Sequence, residues 1–167
     1  MIAAMTIVIA LGSAGSARAD FQTGLEASKS GDYATALSEW EPLAKQGDAD
    51  AQYRLGRLYQ KGNGVSKNIE IALSWYTLAA DQGHAISQFV IGWIYDKGQE
   101  ITQNYNVALK WYTLSSDQGS MFAQYTLGRL YENGRGVPKD FEKASKLYAL
   151  AAGQGYSRAQ SQLGWMY

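Results

Sequence analysis

The sequence predicts an all-α protein built as a right-handed α-solenoid of antiparallel helix pairs, and three observations carry that expectation. Gly56, Gly92, Gly128 and Gly164 recur at a constant step of 36 residues, and Tyr76, Tyr112 and Tyr148 keep the same step. Within a unit the apolar residues fall at helical spacing: Ala51, Leu55, Leu58 and Tyr59 in one segment, and Ile69, Ala72, Leu73, Tyr76 and Ala80 in the next. Stretches such as Gly62-Asn63-Gly64-Val65 break the helical pattern at the same phase. A period in the range of about 20 to 50 residues marks an array whose units bury their apolar faces against one another.

Composition narrows the function classes. The 167 residues are 46% apolar and include 12 tyrosines and 5 tryptophans, enough to fill a repeated core with rings. Lys plus Arg and Asp plus Glu both number 15. Setting aside residues 1–19, whose only charge is Arg18, leaves 14 basic against 15 acidic side chains. Phosphate binding rests on a basic excess that displaces counterions, so no nucleic-acid partner is expected. The absence of cysteine removes disulfides, thiolate catalysis and cysteine-ligated metals.

Taken in order, Met1 to Leu11 is apolar apart from Thr6, Gly12 to Ser16 is small, and Ala17-Arg18-Ala19 precedes Asp20 with the small-x-small form of a signal-peptidase site. Residues 1–19 therefore read as an export signal cleaved near Ala19/Asp20, which places the mature chain in the periplasm or outside the cell. The apolar run is about half of the ~20 residues of a spanning helix, so no stable membrane anchor is expected. The positive start that usually precedes such a run is missing.

Residues 20–48 form a shorter helix pair. Gly24 and Ala27 belong to its first helix, Gly31-Asp32-Tyr33 to the turn, and Ala36, Leu37, Trp40, Leu43 and Ala44 to the apolar stripe of its second. These steps resemble a tetratricopeptide repeat. From Ala49 the pattern A-x-A-Q-Y-x-L-G-x-x-Y (Ala49 to Tyr59), G-x-G-V (Gly62 to Val65) and A-x-x-W-Y-x-x-A-A-x-x-G (Ala72 to Gly83) resembles the Sel-one-like repeat family, a 36-residue variant of the tetratricopeptide fold. The copies occupy 49–84, 85–120 and 121–156, with a partial fourth at 157–167 that carries a first helix only.

The copies differ. Repeat two has Gly98-Gln99-Glu100-Ile101, without the second loop glycine, and Ser115-Ser116 in place of the alanine pair. Repeat three has Leu147 in place of the tryptophan. Glycine inside a helix costs ~1 kcal/mol relative to alanine. A glycine kept at Gly56, Gly92 and Gly128 therefore implies that tyrosine or tryptophan rings of a neighbouring helix lie over the bare backbone. Gly62 suits a left-handed helix end, Val65 folds back under the loop, Pro138 stiffens the same loop in repeat three, and Asn68, Asn104 and Asp140 stand as N-caps of the helices that follow. No strand precedes the G-x-G, so a phosphate-binding loop is set aside.

Gln52, Gln88, Gln124 and Gln160 are the polar side chains common to all four first helices, and they read as register bonds to a neighbouring helix or loop carbonyl. His84, the sole histidine, reads as a solvent-exposed turn residue. No histidine pair exists to hold a metal, and the carboxylates show no pairing at a fixed step, so neither cofactor nor metal nor catalytic residue is assigned. A hydrolase with two fold-assembled carboxylates remains as the competing class.

The candidate working surface is the set of first-helix positions that leave the core stripe: Tyr53, Arg57 and Gln60, then Phe89, Trp93 and Asp96, then Tyr125, Arg129 and Glu132, and finally Trp165. In helical arrays the first helices line one concave groove, and a ladder Arg57, Trp93, Arg129, Trp165 has the composition of binding hot spots. Trp93 and Trp165 could equally be covered by neighbouring units. The last helix, with Leu163, Trp165, Met166 and Tyr167, has no successor; that pattern implies either an occupant, a second copy of the chain among them, or a truncated product.

What the resemblance implies is a non-catalytic protein- or peptide-binding scaffold of the bacterial cell envelope, since members act as adaptors in envelope assembly, secretion, exopolysaccharide control or host contact. The resemblance also implies an alternative: some members are described as penicillin-binding or weak β-lactamase-like proteins. Those members are cysteine-rich, unlike this chain. Binding to peptidoglycan alone is a third class.

Overall fold

Nine helices follow one another along the described part of the chain: α1 (Ser13–Ser30), α2 (Tyr33–Lys45), α3 (Ala49–Lys61), α4 (Ile69–Asp81), α5 (Ala85–Lys97), α6 (Tyr105–Asp117), α7 (Met121–Asn133), α8 (Phe141–Gly153) and α9 (Ser157–Met166). The computed structural model describes residues 13–166, with side-chain surroundings from residue 21 onward. The apolar run of the expected export segment and Tyr167 lie outside the described residues.

Each helix packs against its neighbours in sequence, the arrangement of a solenoid of helix pairs. The core runs through the pairs and continues between them. Ala36, Trp40, Leu43 and Ala44 of α2 bury against Ala51, Leu55 and Leu58 of α3. Ala72, Tyr76 and Ala80 of α4 bury against Ile91 and Ile94 of α5. Ala108 and Tyr112 of α6 meet Leu127 and Leu130 of α7, and Ala144, Tyr148 and Ala151 of α8 meet Ala159 of α9. A unit removed from the stack would expose both of its apolar sides, which is why adjacency and not the single repeat is the stable element.

Within each pair the helices approach through a glycine. A Cβ on Gly56 would lie 2.6 Å from the ring of Tyr76, on Gly92 2.7 Å from Tyr112, and on Gly128 2.6 Å from Tyr148. The ring over the backbone is tyrosine in all three repeats. The first pair uses the same device with a larger ring, Trp40 lying against Gly24 and donating its indole N–H to the Phe21 carbonyl at 3.2 Å. Trp75 and Trp111 serve elsewhere: each packs, half-buried, on the core of the preceding interface, and Leu147 takes that place in repeat three.

Caps define where helices start and stop. Asn68 accepts from the Ile71 amide at 2.9 Å, Asn104 from Val107 at 3.1 Å and Asp140 from Lys143 at 2.8 Å. Gly62, Gly98 and Gly134 end α3, α5 and α7 in the left-handed conformation, with φ of 75°, 60° and 69°. In the first pair Asp32 is the cap and Tyr33 already the first residue of α2, so the turn there is shorter than its sequence suggested.

Register between pairs is held by a glutamine ladder. Gln52 donates to the Ala44 carbonyl at 3.0 Å and accepts from Gln82 at 2.8 Å, so one side chain ties α2, α3 and α4 together. Gln88 repeats this with Ala80 at 3.0 Å and Gln118 at 2.6 Å. Gln124 does so with Ser116 at 3.5 Å and Gln154 at 2.8 Å, and Gln160 reaches Ala152 at 3.3 Å. These bonds give the glutamines the register role that their recurrence implies, with Gln82, Gln118 and Gln154 as partners of Gln52, Gln88 and Gln124.

Candidate partner-binding face

The glycine spine sets the positions of the first-helix side chains. Tyr53, Phe89 and Tyr125 each lean on the spine tyrosine of their own unit, Tyr76, Tyr112 and Tyr148, at ring-centroid distances of 5.9, 5.5 and 5.6 Å. They are half-buried, and their outer edges form the wall of the face. The same tyrosines reach past them with their hydroxyls. Tyr76 donates to Gln60 at 2.7 Å, Tyr112 to Asp96 at 3.5 Å and Tyr148 to Glu132 at 2.7 Å. Of the ten positions read as the candidate surface, then, Gln60, Asp96 and Glu132 are engaged by the fold itself, and Asp96 is only 6% exposed.

These hydroxyls have no acid–base role near neutrality. Burial pushes the Tyr76 phenol well above its ordinary range, with neighbouring Tyr53 adding to the effect and Arg57 opposing it. Burial does the same at Tyr112, reinforced by the charge and hydrogen bond of Asp96. At Tyr148 burial is again the first cause, followed by the hydrogen bond and charge of Glu132. All three stay protonated and act as fixed donors.

The remaining positions look outward. Arg57 lies with its guanidinium 5.9 Å from the Tyr53 ring. Trp93 is covered over part of its surface and 38% exposed, Arg129 is exposed, and Trp165 is 87% exposed. Three hollows open along this face. One of 170 Å³ is lined by Arg54, Arg57 and Lys61 of α3 together with Tyr33 and Trp40. A second of 570 Å³ takes Lys61 from the first and adds Phe89, Val90 and Trp93 of α5. A third of 220 Å³ shares Phe89 and Trp93 with the second and continues to Tyr125, Arg129 and Arg158. Shared walls make the three a continuous surface from α3 to α9.

His84 departs from its expected place. It caps α5, its Nδ1 accepting from the Ser87 amide at 3.2 Å, its ring 5.2 Å from Tyr53 and its side chain only 15% exposed. The corresponding residues Asp48 and Ser120 cap α3 and α7, at 2.8 and 3.4 Å from the amides of Ala51 and Ala123. The position is a capping site whose residue type varies, which hid the common role. Among the described residues, no group of three or more His, Asp or Glu side chains converges as a metal site, and no helix is long and apolar enough to cross a membrane.

The family model for the Sel1 repeat matches residues 49–84, 85–120 and 122–156. The chain belongs to the Sel1 repeat family. Sel1 repeats are generally protein-interaction scaffolds. Two solved structures share the fold of this Sel1 repeat protein closely. A Sel1 repeat protein from Oxalobacter formigenes is 38% identical at a TM-score of 0.82, over 87% of this chain and 60% of its own length. A protective antigen present in uropathogenic Escherichia coli strains, displaying an SLR fold, is 32% identical at a TM-score of 0.81, over 90% of this chain and 33% of its own. The chain thus spans less than two thirds of either relative. No curated protein matches it.

Several residues of the face had escaped the stripe reading. Arg54 sits one position off the stripe, Lys61 and Lys97 end their helices, and Arg135 belongs to the loop after α7. Only the stacking of units turns them toward the same hollows.

Proposed function

We propose that this Sel1 repeat protein is a non-catalytic scaffold of the bacterial cell envelope that grips a protein or peptide along the face formed by its first helices. The observation that carries the reading is the run of joined hollows, whose exposed Arg129 and Trp93 have no part in the spine or the glutamine ladder. Large rings and arginines that the fold does not need are the residue types that dominate binding energy at interfaces. Successive units would each add a modest contact, and affinity would accumulate along the array.

Export by residues 1–19 belongs to the same proposal. Its support is the apolar run followed by Ala17-Arg18-Ala19. The relative described as a protective antigen suits it as well, because such a description fits a protein reachable from outside the cytoplasm.

A photo-crosslinking amino acid placed at Trp93, and in a separate variant at Leu114 on the second-helix side, tests the face. Adducts with a cellular protein are expected from position 93 and not from 114; adducts from 114 alone would move the docking surface to the other side. Cell fractionation with N-terminal sequencing tests export. A chain that keeps Met1 in the cytosolic fraction would refute it.

A further inference from the structure

Resting on that reading, we propose that the occupant is an extended peptide segment in which acidic residues flank an apolar or aromatic one. The chain as a whole is neutral, but its charges are not evenly placed. Helices α3, α5, α7 and α9 carry Arg54, Arg57, Lys61, Lys97, Arg129 and Arg158 against only Asp50, Asp96 and Glu132.

The three carboxylates are already engaged. Asp50 faces His84 Nε2 at 3.3 Å, Asp96 accepts from Tyr112 and lies 3.5 Å from Lys97, and Glu132 accepts from Tyr148 and from Gln162, each at 2.7 Å. The arginines are not. Within residues 21–166 every ion pair is made by lysine or histidine, so all five guanidinium groups there lack a carboxylate. Arg54 goes further: its Nε is buried with no acceptor, while its guanidinium is steadied 6.0 Å from the Trp40 ring and 5.7 Å from the Tyr53 ring. The buried Nε is closed to a ligand, and the guanidinium meets an incoming acceptor through the face that Arg54 gives to the first hollow.

The order of the hollows gives the pattern of the ligand. The α3 end offers Arg54, Arg57 and Lys61. In the middle, Lys67 and Glu100 neutralise each other at 2.6 Å beside Phe89, Val90 and Trp93, leaving the largest of the three hollows mainly apolar, with Lys61 only at the wall it shares with the first. The α7–α9 end offers Arg129, Arg135 and Arg158, with Lys97 of α5 beside them and paired with Asp96. Basic, apolar, basic along the face is complementary to acidic, apolar, acidic along a peptide. Guanidinium forks match carboxylates in paired hydrogen bonds, and groups held in place by rings lose little freedom on binding. A nucleic-acid strand, charged at every step, would find its middle stretch unmatched.

The test is fluorescence anisotropy with the full chain and three short labelled peptides: one with Glu runs on either side of a central Phe, the same peptide with Gln for Glu, and one with Lys for Glu. The Glu peptide is expected to bind, the Gln peptide about tenfold more weakly or worse, equivalent to ~1.4 kcal/mol, and the Lys peptide not at all. Binding of the Glu peptide should weaken with added salt and fall about tenfold in an Arg129→Gln, Arg158→Gln double variant. Both arginines are exposed, so that variant keeps its fold, as circular dichroism would verify, and Lys110→Gln on α6 should leave binding unchanged. Equal binding of the Glu and Gln peptides overturns the acidic preference, as does a single-stranded oligonucleotide that displaces the Glu peptide at lower concentration than the peptide itself. If no peptide binds while the crosslinker at Trp93 still captures a protein, the ligand chemistry is wrong and the docking face stands. If neither is seen, both fall.

Discussion

Repeat two differs from the repeats on either side of it at its first-helix anchor and in its loop, and hardly at all along the spine. Its first-helix anchor is Trp93 where its neighbours have Arg57 and Arg129. Its loop has Glu100 where they have Gly64 and Gly136, whose φ values are 71° and 72°. No residue other than glycine has positive φ among the described residues, so the backbone around Glu100 takes a different path, and the freed position becomes a carboxylate that pairs with Lys67. Yet Gly92 meets Tyr112 as Gly56 meets Tyr76, and Gln88 meets Gln118 as Gln52 meets Gln82. The contrast separates two kinds of position. Contacts that set the distance and register between helices tolerate no change of shape, because one altered unit would displace every unit stacked on it. Positions that only look outward are free to vary, and repeat two uses that freedom to place a ring-lined stretch, with Glu100 paired to Lys67, between two that carry arginines.

The largest effect that could break this comparison is expected at the spine. Gly92→Ala would drive a methyl into the fully buried Tyr112 ring and should destabilise by about 1–3 kcal/mol. Gly164→Ala, where nothing lies within 4 Å of the added methyl, should stabilise by up to ~1 kcal/mol through helix propensity. Urea unfolding of the two variants checks the opposite signs; a harmless Gly92→Ala would mean that the rings are not closely fitted. Next in size is the response to alkali. The buried tyrosines resist ionisation in the folded chain but ionise near 10.0 when unfolded. Stability they contribute is therefore fully present below that pH and lost above it. Tyr76 and Tyr112 should each steepen the loss by up to ~1.4 kcal/mol per pH unit. Stability measured on either side of pH 10 in wild type and Tyr76→Phe reads this directly, since the variant should show a shallower decline.

The ladder comes third. Gln118→Ala leaves the buried Gln88 oxygen without its donor and should cost about 1 kcal/mol. Gln154→Ala should cost somewhat more, because Gln154 also donates to the Gly119 carbonyl at 2.9 Å and so ties repeat three to the turn before it. The smallest effect sharpens the comparison at the phenols. Asp96 is one methylene shorter than Gln60 or Glu132, and the Tyr112 bond is correspondingly long at 3.5 Å against 2.7 Å. Asp96→Glu should gain a few tenths of a kcal/mol, and Tyr112→Phe should cost less than Tyr148→Phe. Thermal unfolding of the three variants ranks them.

Much of this was legible from residue steps alone. Glycine and tyrosine recurring in phase pointed to a ring over bare backbone, and Asn68, Asn104 and Asp140 announced helix starts, because capping and close approach are satisfied within one unit and reappear in each copy. The candidate face was legible in part. Tyr53, Phe89 and Tyr125 were placed on it by helical spacing, but the same spacing also put Asp96 and Glu132 there as free groups. Their engagement with Tyr112 and Tyr148 depends on how far apart two helices settle, which spacing along one helix does not encode. His84 was misread for a related reason: a cap is recognised by what it accepts from, and Asp48, His84 and Ser120 share that geometry without sharing a side chain.

Sequence alone determined the phase of the array, the all-helical fold and the ring-over-glycine contact, since each follows from local preferences repeated at one interval. Only the tertiary structure decided that Arg54, Lys61, Arg135 and Arg158 open onto hollows with common walls, that the carboxylates among them are engaged, and that Lys67 of the middle stretch pairs with Glu100. Those outcomes depend on the rotation from one unit to the next, and that rotation is set by how side chains of adjoining units pack, which spacing along one helix does not encode.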